Sequence, residues 1–210
     1  QAREMIEIPA GSATLGLASQ GNSGFGWDNE FESHNVNVKA FLIEAQNVTN
    51  GEFLEFVQSG AYADRSFWTM CDWEWKNSQG IAHPGLWFNK RGDWYCRTMF
   101  TEIPLPLHWP VYLSHAEASA YACWRGKTLP SEAQFQRAAY GTPEGTERVY
   151  PWGDELPNSA HGNFNFQFWD PTPVGTYPDG RSGFGLDDPV GNGWEWTSTQ
   201  FEPFSGFQPS

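Results

Sequence analysis

Ser114-His115-Ala116-Glu117-Ala118-Ser119-Ala120-Tyr121-Ala122-Cys123-Trp124-Arg125-Gly126-Lys127-Thr128-Leu129-Pro130-Ser131-Glu132-Ala133-Gln134-Phe135-Gln136-Arg137-Ala138-Ala139-Tyr140-Gly141 holds the clearest regular structure in the chain. Ser114 and Glu117 form a capping box, in which the serine oxygen accepts from the amide three residues on and the glutamate reaches back. Ala116, Ala120 and Trp124 then share one face, and Gly126 is the stop. Ser131 and Gln134 repeat the device ahead of Phe135, Ala138 and Ala139, with Gly141 closing. Two short amphipathic helices are predicted, and what surrounds them decides the class.

Upstream, residues 4–9 alternate polar and apolar and predict a strand ended by Pro9 and a turn at Gly11. Val36, Val38, Ala40 and Leu42 share one face of a second strand, with Asn37 and Lys39 on the other. Thr49 or Asn50 caps a helix carrying Phe53, Leu54 and Val57 and stopped by Gly60. A glycine-rich loop from Gly16 to Gly26 ends in the aromatic and acidic knot Phe25-Gly26-Trp27-Asp28-Asn29-Glu30. Between Tyr62 and Pro110 no period survives, and a long packed loop with a hairpin near Gly92-Asp93 is expected. Downstream lie turns at Pro157-Asn158, Pro178-Asp179-Gly180 and Gly191-Asn192-Gly193, then a short strand over Trp194-Glu195-Trp196-Thr197. The sum is one α+β domain over residues 1–210, loop-rich, with few short helices and strands.

Composition narrows the function. Twelve Lys and Arg stand against 25 Asp and Glu, a formal charge of −13. That argues against nucleic acid and anionic lipid as partners, since both need clustered cations. No run approaches the roughly 20 apolar residues of a membrane span. The 12 Trp, 16 Phe and 7 Tyr offset 22 Gly and 15 Pro, so the irregular backbone is read as folded and held by large flat side chains. Three cysteines at wide spacing (Cys71, Cys96, Cys123) build no complete disulfide framework, which fits a reduced, cytoplasmic setting. Cys123, inside a helix, reads as a small buried hydrophobe.

Chemistry-bearing patterns are few. His34, His83, His108, His115 and His161 form no HxxxH pair, so no histidine-ligated metal is expected from them. There is no Gly-x-Ser-x-Gly elbow and no phosphate loop. Asp187-Asp188-Pro189-Val190-Gly191-Asn192-Gly193-Trp194-Glu195 places carboxylates at both ends of a tight glycine turn, which suits Ca²⁺. A turn that merely delivers Trp194 and Trp196 into the core explains it equally well. Asn163 to Asp170 is a weaker candidate for a cation. Aromatic residues beside carboxylates at 25–30 and 163–170 either pack the core or frame a pocket for a quaternary ammonium or a sugar face.

Seven segments in order carry a family resemblance: Met5-Ile6-Glu7-Ile8-Pro9-Ala10-Gly11, Gly26-Trp27-Asp28-Asn29-Glu30, Val48-Thr49-Asn50-Gly51-Glu52-Phe53, Pro110-Val111-Tyr112-Leu113-Ser114, Gly126-Lys127-Thr128-Leu129-Pro130-Ser131-Glu132-Ala133, Tyr150-Pro151-Trp152-Gly153 and Val190-Gly191-Asn192-Gly193-Trp194-Glu195-Trp196-Thr197. They resemble the sulfatase-modifying-factor (formylglycine-generating-enzyme) domain, which implies a C-type-lectin-like fold. The Trp27 to Glu30 segment, the cluster from Trp68 to Trp75 and the ending Phe201 to Phe207 are most similar to the ergothioneine-pathway sulfoxide synthases. The resemblance implies Fe(II)-dependent joining of hercynine to cysteine or γ-glutamylcysteine with O₂. It also implies that three histidines of a separate N-terminal helical domain hold the iron, and that further substrate-contacting residues follow an Arg-Gly-Gly-Ser-Trp segment, all outside these 210 residues. A missing domain or a second polypeptide would supply them, and the chain alone is expected to be inactive.

By the same resemblance Asp188, Gly191, Gly193 and Glu195 form a structural calcium site, side-chain oxygens coming from the outer pair and carbonyls from the glycines. No catalytic residue is assigned within the chain. Trp27, Asp28 and Trp169 are the aromatic and acidic candidates for one wall of the substrate pocket. Two other functions compete: a non-catalytic lectin-like binding module, and formylglycine generation on sulfatases, for which Cys71, Cys96 and Cys123 do not match the reactive cysteine positions.

Overall fold

A computed structural model describes residues 4–18, 26–205, 207 and 209. Most of the glycine-rich loop, with Phe25, lies outside the described residues, as does Gly206. Seven short strands and four helices emerge among the described residues, consistent with the α+β expectation.

Strands β1 (Met5–Ile8) and β4 (Phe41–Glu44) pair antiparallel, as do β2 (Gly11–Leu15) and β3 (His34–Val38). The single strand expected over 36–42 is therefore two. Its chain turns at Lys39-Ala40 and changes partner, which shifts the alternation by one residue: Phe41 and Ile43 pack inward and Leu42 is 62% exposed. Gly11 is the first residue of β2 rather than a turn, and Pro9-Ala10 make the corner. A Cβ on Gly11 would lie 2.3 Å from the Arg137 guanidinium carbon, so only glycine fits there.

Helices α1 (Asn50–Gln58), α3 (His115–Trp124) and α4 (Glu132–Tyr140) start where the capping boxes place them, with caps Thr49, Ser114 and Ser131. The region read as structureless contains α2 (Met70–Ser78), capped by Thr69. It also holds a three-stranded sheet of β5 (Trp87–Lys90), β6 (Asp93–Arg97) and β7 (Glu102–Pro104), whose first turn is the expected hairpin. The strand expected over Trp194 to Thr197 does not form. That segment is anchored instead by Trp196 Nε1 donating to Leu113 O (3.0 Å) and by a contact of His115 Nε2 with Thr197 O (3.1 Å).

Two apolar clusters result. The larger is aromatic: Phe53 and Phe56 of α1 meet Tyr62, Trp68, Trp87 and Tyr121, with Phe53 edge-on to Trp87 at 6.0 Å. The smaller joins Ile8, Ala138 and Leu186 to Ile6, Phe41, Ile43 and Phe184. Arg137 of α4 ties it down, its guanidinium donating to the carbonyls of Pro9 (2.9 Å), Ser12 (3.3 Å) and Ala10 (3.4 Å). Cys96 is buried, whereas Cys71 and Cys123 are exposed, so Cys123 does not act as core filler.

Candidate functional site

The loop from Asp187 to Thr197 is fixed from several sides. Asp187 accepts from Gln46 Nε2 (2.8 Å) and pairs with Arg181, while its amide donates to Ala45 O (2.8 Å). Buried Asn192 accepts from Thr172 N (3.0 Å) and donates to Thr172 O (3.0 Å). Gly191 has φ +94°, and a Cβ there would collide with the Phe164 ring.

Inside this frame sit Asp188 and Glu195. Asp188 is 2% exposed and left-handed (φ +47°); its Oδ2 accepts from Gly175 N (2.7 Å), and its Oδ1 is buried with no hydrogen-bond partner. Burial raises its pKa above the usual aspartate value, and the Asp187 charge adds to the rise. Burial pushes Glu195 up to about 7, against an amide hydrogen bond from Asn47 (3.3 Å), and the Asp188 carboxylate raises it further. Two carboxylates that feel each other, one of them with a buried oxygen that lacks a donor, have the chemistry that a hard cation satisfies. The competing reading of this turn fails, because Trp194 is 99% and Trp196 49% exposed and neither enters the core. Asn163 and Asp170 instead spend their polar groups locally: Asn163 Nδ2 donates to Asp170 O (3.1 Å), and Asp170 Oδ1 accepts from Met99 N (3.4 Å).

Beside this loop lies a cavity of about 580 Å³. Its walls come from β4 and the residues after it, from Pro110 to Leu113, from α3, from 127–130, from α4, and from Gly193 to Trp196. Most of the surface is apolar, with Gln46, Asn47, Tyr112 and Glu195 among the polar exceptions and the Lys127–Glu44 ion pair (2.6 Å) at the wall. Sequence reasoning missed Asn47, Tyr112 and the cavity itself, since the lining is drawn from separate stretches that no local pattern links.

Trp27, Asp28 and Trp169 do not line this cavity. Trp27 is 66% exposed and opens a turn with Asp28, its amide donating to Glu30 Oε2 (2.6 Å). Trp169 is 57% exposed and meets Phe100 edge-on at 5.7 Å and Phe166 at 5.5 Å, forming an outward aromatic ledge next to Asp170. Among the described residues no three His, Cys, Asp or Glu side chains group as a metal site. No helix among them is long and apolar enough to cross a membrane.

The family model for the sulfatase-modifying factor enzyme 1-like domain matches residues 1–209. Hercynine oxygenase of Mycobacterium tuberculosis is 38% identical over 185 residues, 87% of this chain and 43% of the relative. Formylglycine-generating enzyme of the same organism is 30% identical over 254 residues, covering 98% of this chain and 77% of the relative. The bovine inactive C-alpha-formylglycine-generating enzyme 2 is 32% identical over 225 residues, 96% of this chain and 72% of the relative. The chain thus spans less than half the length of the hercynine oxygenase it matches.

Proposed function

Because the chain belongs to the sulfatase-modifying factor enzyme 1-like domain family, we propose that it is the family domain of an ergothioneine-type sulfoxide synthase, with the C-type-lectin-like fold variant. The observation that carries this is the 38% identity to a hercynine oxygenase over 87% of the chain, above the 30% to a formylglycine-generating enzyme. The overall reaction balances as one imidazole C–H, one thiol S–H and O₂ giving a C–S(=O) linkage and water. The thiol is that of cysteine or γ-glutamylcysteine, and the setting is the cytoplasm.

Iron does not fit the described residues, which group no three suitable ligands. Its ligands would come from polypeptide beyond these residues, on the same chain or a second one. The chain's own contribution is a wall of the substrate pocket. Trp27 and Trp169 are largely exposed, with Asp28 and Asp170 beside them in sequence, the residue types that hold a trimethylammonium group.

Calcium does fit. Asp188 and Glu195 would bind it by side-chain oxygens and Gly191 and Gly193 by carbonyls, a hard-donor set without sulfur or nitrogen. The orphaned Asp188 Oδ1 supports this, and the ion would fix the loop rather than react.

Substrate recognition is tested by titrating hercynine and unmethylated histidine into the full polypeptide that carries this domain. Hercynine should bind at least tenfold tighter, and Trp169→Ala or Asp28→Asn should remove most of that preference. Equal binding of both ligands would contradict the pocket wall.

A further inference from the structure

The aromatic ledge and the loop from Asp188 to Glu195 are joined. Asn163 closes residues 163–170 on themselves: its Nδ2 donates to Asp170 O (3.1 Å) and its Oδ1 accepts from Phe168 N (3.3 Å). Gln167 N adds a bond to Phe164 O (3.0 Å), so three bonds tie the segment into one block. Within it Asn165 (φ +54°) and Phe166 (φ +56°) are consecutive left-handed residues. A phenylalanine is strained in that region, and its side chain is 76% exposed, so core packing does not offset the strain. The turn instead brings the Phe166 ring to 5.5 Å from that of Trp169, which meets Phe100 at 5.7 Å.

Three contacts fasten this block to the loop that carries Asp188 and Glu195. The Phe164 ring lies within 2.2 Å of where a Gly191 Cβ would stand. Buried Asn192 holds Thr172, two residues past Asp170, by its amide (3.0 Å) and its carbonyl (3.0 Å), and Thr172 Oγ1 also donates to Asn192 Oδ1 (3.2 Å). Asp188 Oδ2 accepts from Gly175 N (2.7 Å), while its buried Oδ1 has no partner. One carboxylate thus holds the segment behind the ledge with one oxygen and keeps the other for a cation. A cation between Asp188 and Glu195 would cancel their repulsion, and through the Gly191 and Gly193 carbonyls it would stiffen the backbone on both sides of Asn192. Without it the two charges oppose each other and the anchor at Asn192 loosens.

We propose that a calcium ion at Asp188 and Glu195 sets the pose of the Phe166–Trp169 ledge through Phe164 and Asn192, so that calcium and a trimethylammonium ligand bind with positive cooperativity. This regulation rests on the cation loop and the ammonium-binding ledge proposed above. It is reciprocal: the factor by which calcium tightens the ligand equals the factor by which the ligand tightens calcium.

The test uses the full polypeptide that carries this domain, free of iron and labelled with 5-fluorotryptophan; the fluorine signal missing from Trp169→Phe is that of Trp169. Calcium should shift that signal and tighten hercynine roughly fivefold or more, and hercynine should tighten calcium by the same factor to within about twofold. Asp188→Asn should abolish both effects, which ties them to this loop rather than to calcium bound elsewhere. Asn192→Ala should keep calcium affinity, and hercynine affinity without calcium, to within about threefold, yet lose the Trp169 shift and bring the cooperative factor below about twofold. Phe164→Leu keeps the Asn163 bonds and should lower the same factor to a lesser degree, so the prediction stands should Asn192→Ala fail to fold. Calcium that binds at Asp188 and leaves the Trp169 signal in place overturns the proposal, as does cooperativity that survives both variants. Absence of calcium binding removes the cation site and the coupling with it. A Trp169 signal that answers calcium while hercynine ignores both calcium and Trp169→Ala upholds the link from ion to ledge and contradicts the pocket wall instead.

Discussion

Asp188 combines burial, a left-handed backbone and an oxygen without a donor, an arrangement that is costly unless something else satisfies it. Asn tolerates the same backbone and keeps the side-chain shape, so Asp188→Asn isolates the charge. Millimolar calcium should raise the melting temperature of the native chain by several degrees and leave Asp188→Asn unmoved; an equal response in both would remove calcium from this loop. Glu195 gives a pH signature. Its folded pKa of about 7 lies above the 4.5 of an ordinary glutamate. Its protonated form therefore contributes stability that is complete below about pH 4.5 and is lost as pH rises through about 7. In calcium-free buffer, the unfolding free energy from denaturant titration should fall across that window by on the order of 1–3 kcal/mol. Glu195→Gln should flatten the slope, and calcium should reverse it by favouring the ionised carboxylates. At this scale the sequence was informative: the spacing of Asp188 and Glu195 about a glycine turn allowed a cation site, and only the fate of Trp194 and Trp196 separated it from a core turn.

Among the elements, helix starts were legible because capping is local chemistry. Ser114 and Glu117 form the expected box, but Glu117 also accepts from Tyr62 OH at 2.7 Å in a buried contact that ties α3 to the residues after α1. Urea unfolding should therefore show Ser114→Ala costing about 1 kcal/mol and Glu117→Ala about 2–3 kcal/mol, since it strands a buried hydroxyl as well. Equal costs would reduce Glu117 to a cap. The helix α2 was missed because it carries Trp73, Trp75 and buried Lys76 without an apolar stripe, the Lys76 ammonium lying 4.4 Å from the Trp73 ring centre. The division of 36–42 was missed for a different reason, since a change of partner strand at Lys39-Ala40 is a tertiary event. Gly11→Ala tests the packing where β2 begins opposite Val38. The added methyl meets a guanidinium held by three carbonyls, so the same unfolding assay should show a loss of about 1–3 kcal/mol. A neutral result would mean that Arg137 yields freely.

At the scale of the whole molecule, the aromatic content explains how a chain with 22 Gly and 15 Pro holds a core: five interleaved rings around Phe56 replace long regular elements. The ordered segments made the family legible, and the match over residues 1–209 shows it. The cavity was not legible, because it is assembled from separate stretches and is a property of their packing. Among the described residues no three suitable side chains group to hold iron, so the chemistry is measured on the full polypeptide that carries this domain. The most direct measurement is mass spectrometry of the products when the full polypeptide is given Fe(II), O₂, hercynine and either cysteine or γ-glutamylcysteine. The expected product is a sulfoxide conjugate whose mass equals hercynine plus thiol plus O₂ minus water, formed with one of the two thiols. Unchanged hercynine, alongside conversion of a cysteine to formylglycine in a sulfatase-derived peptide, would contradict it.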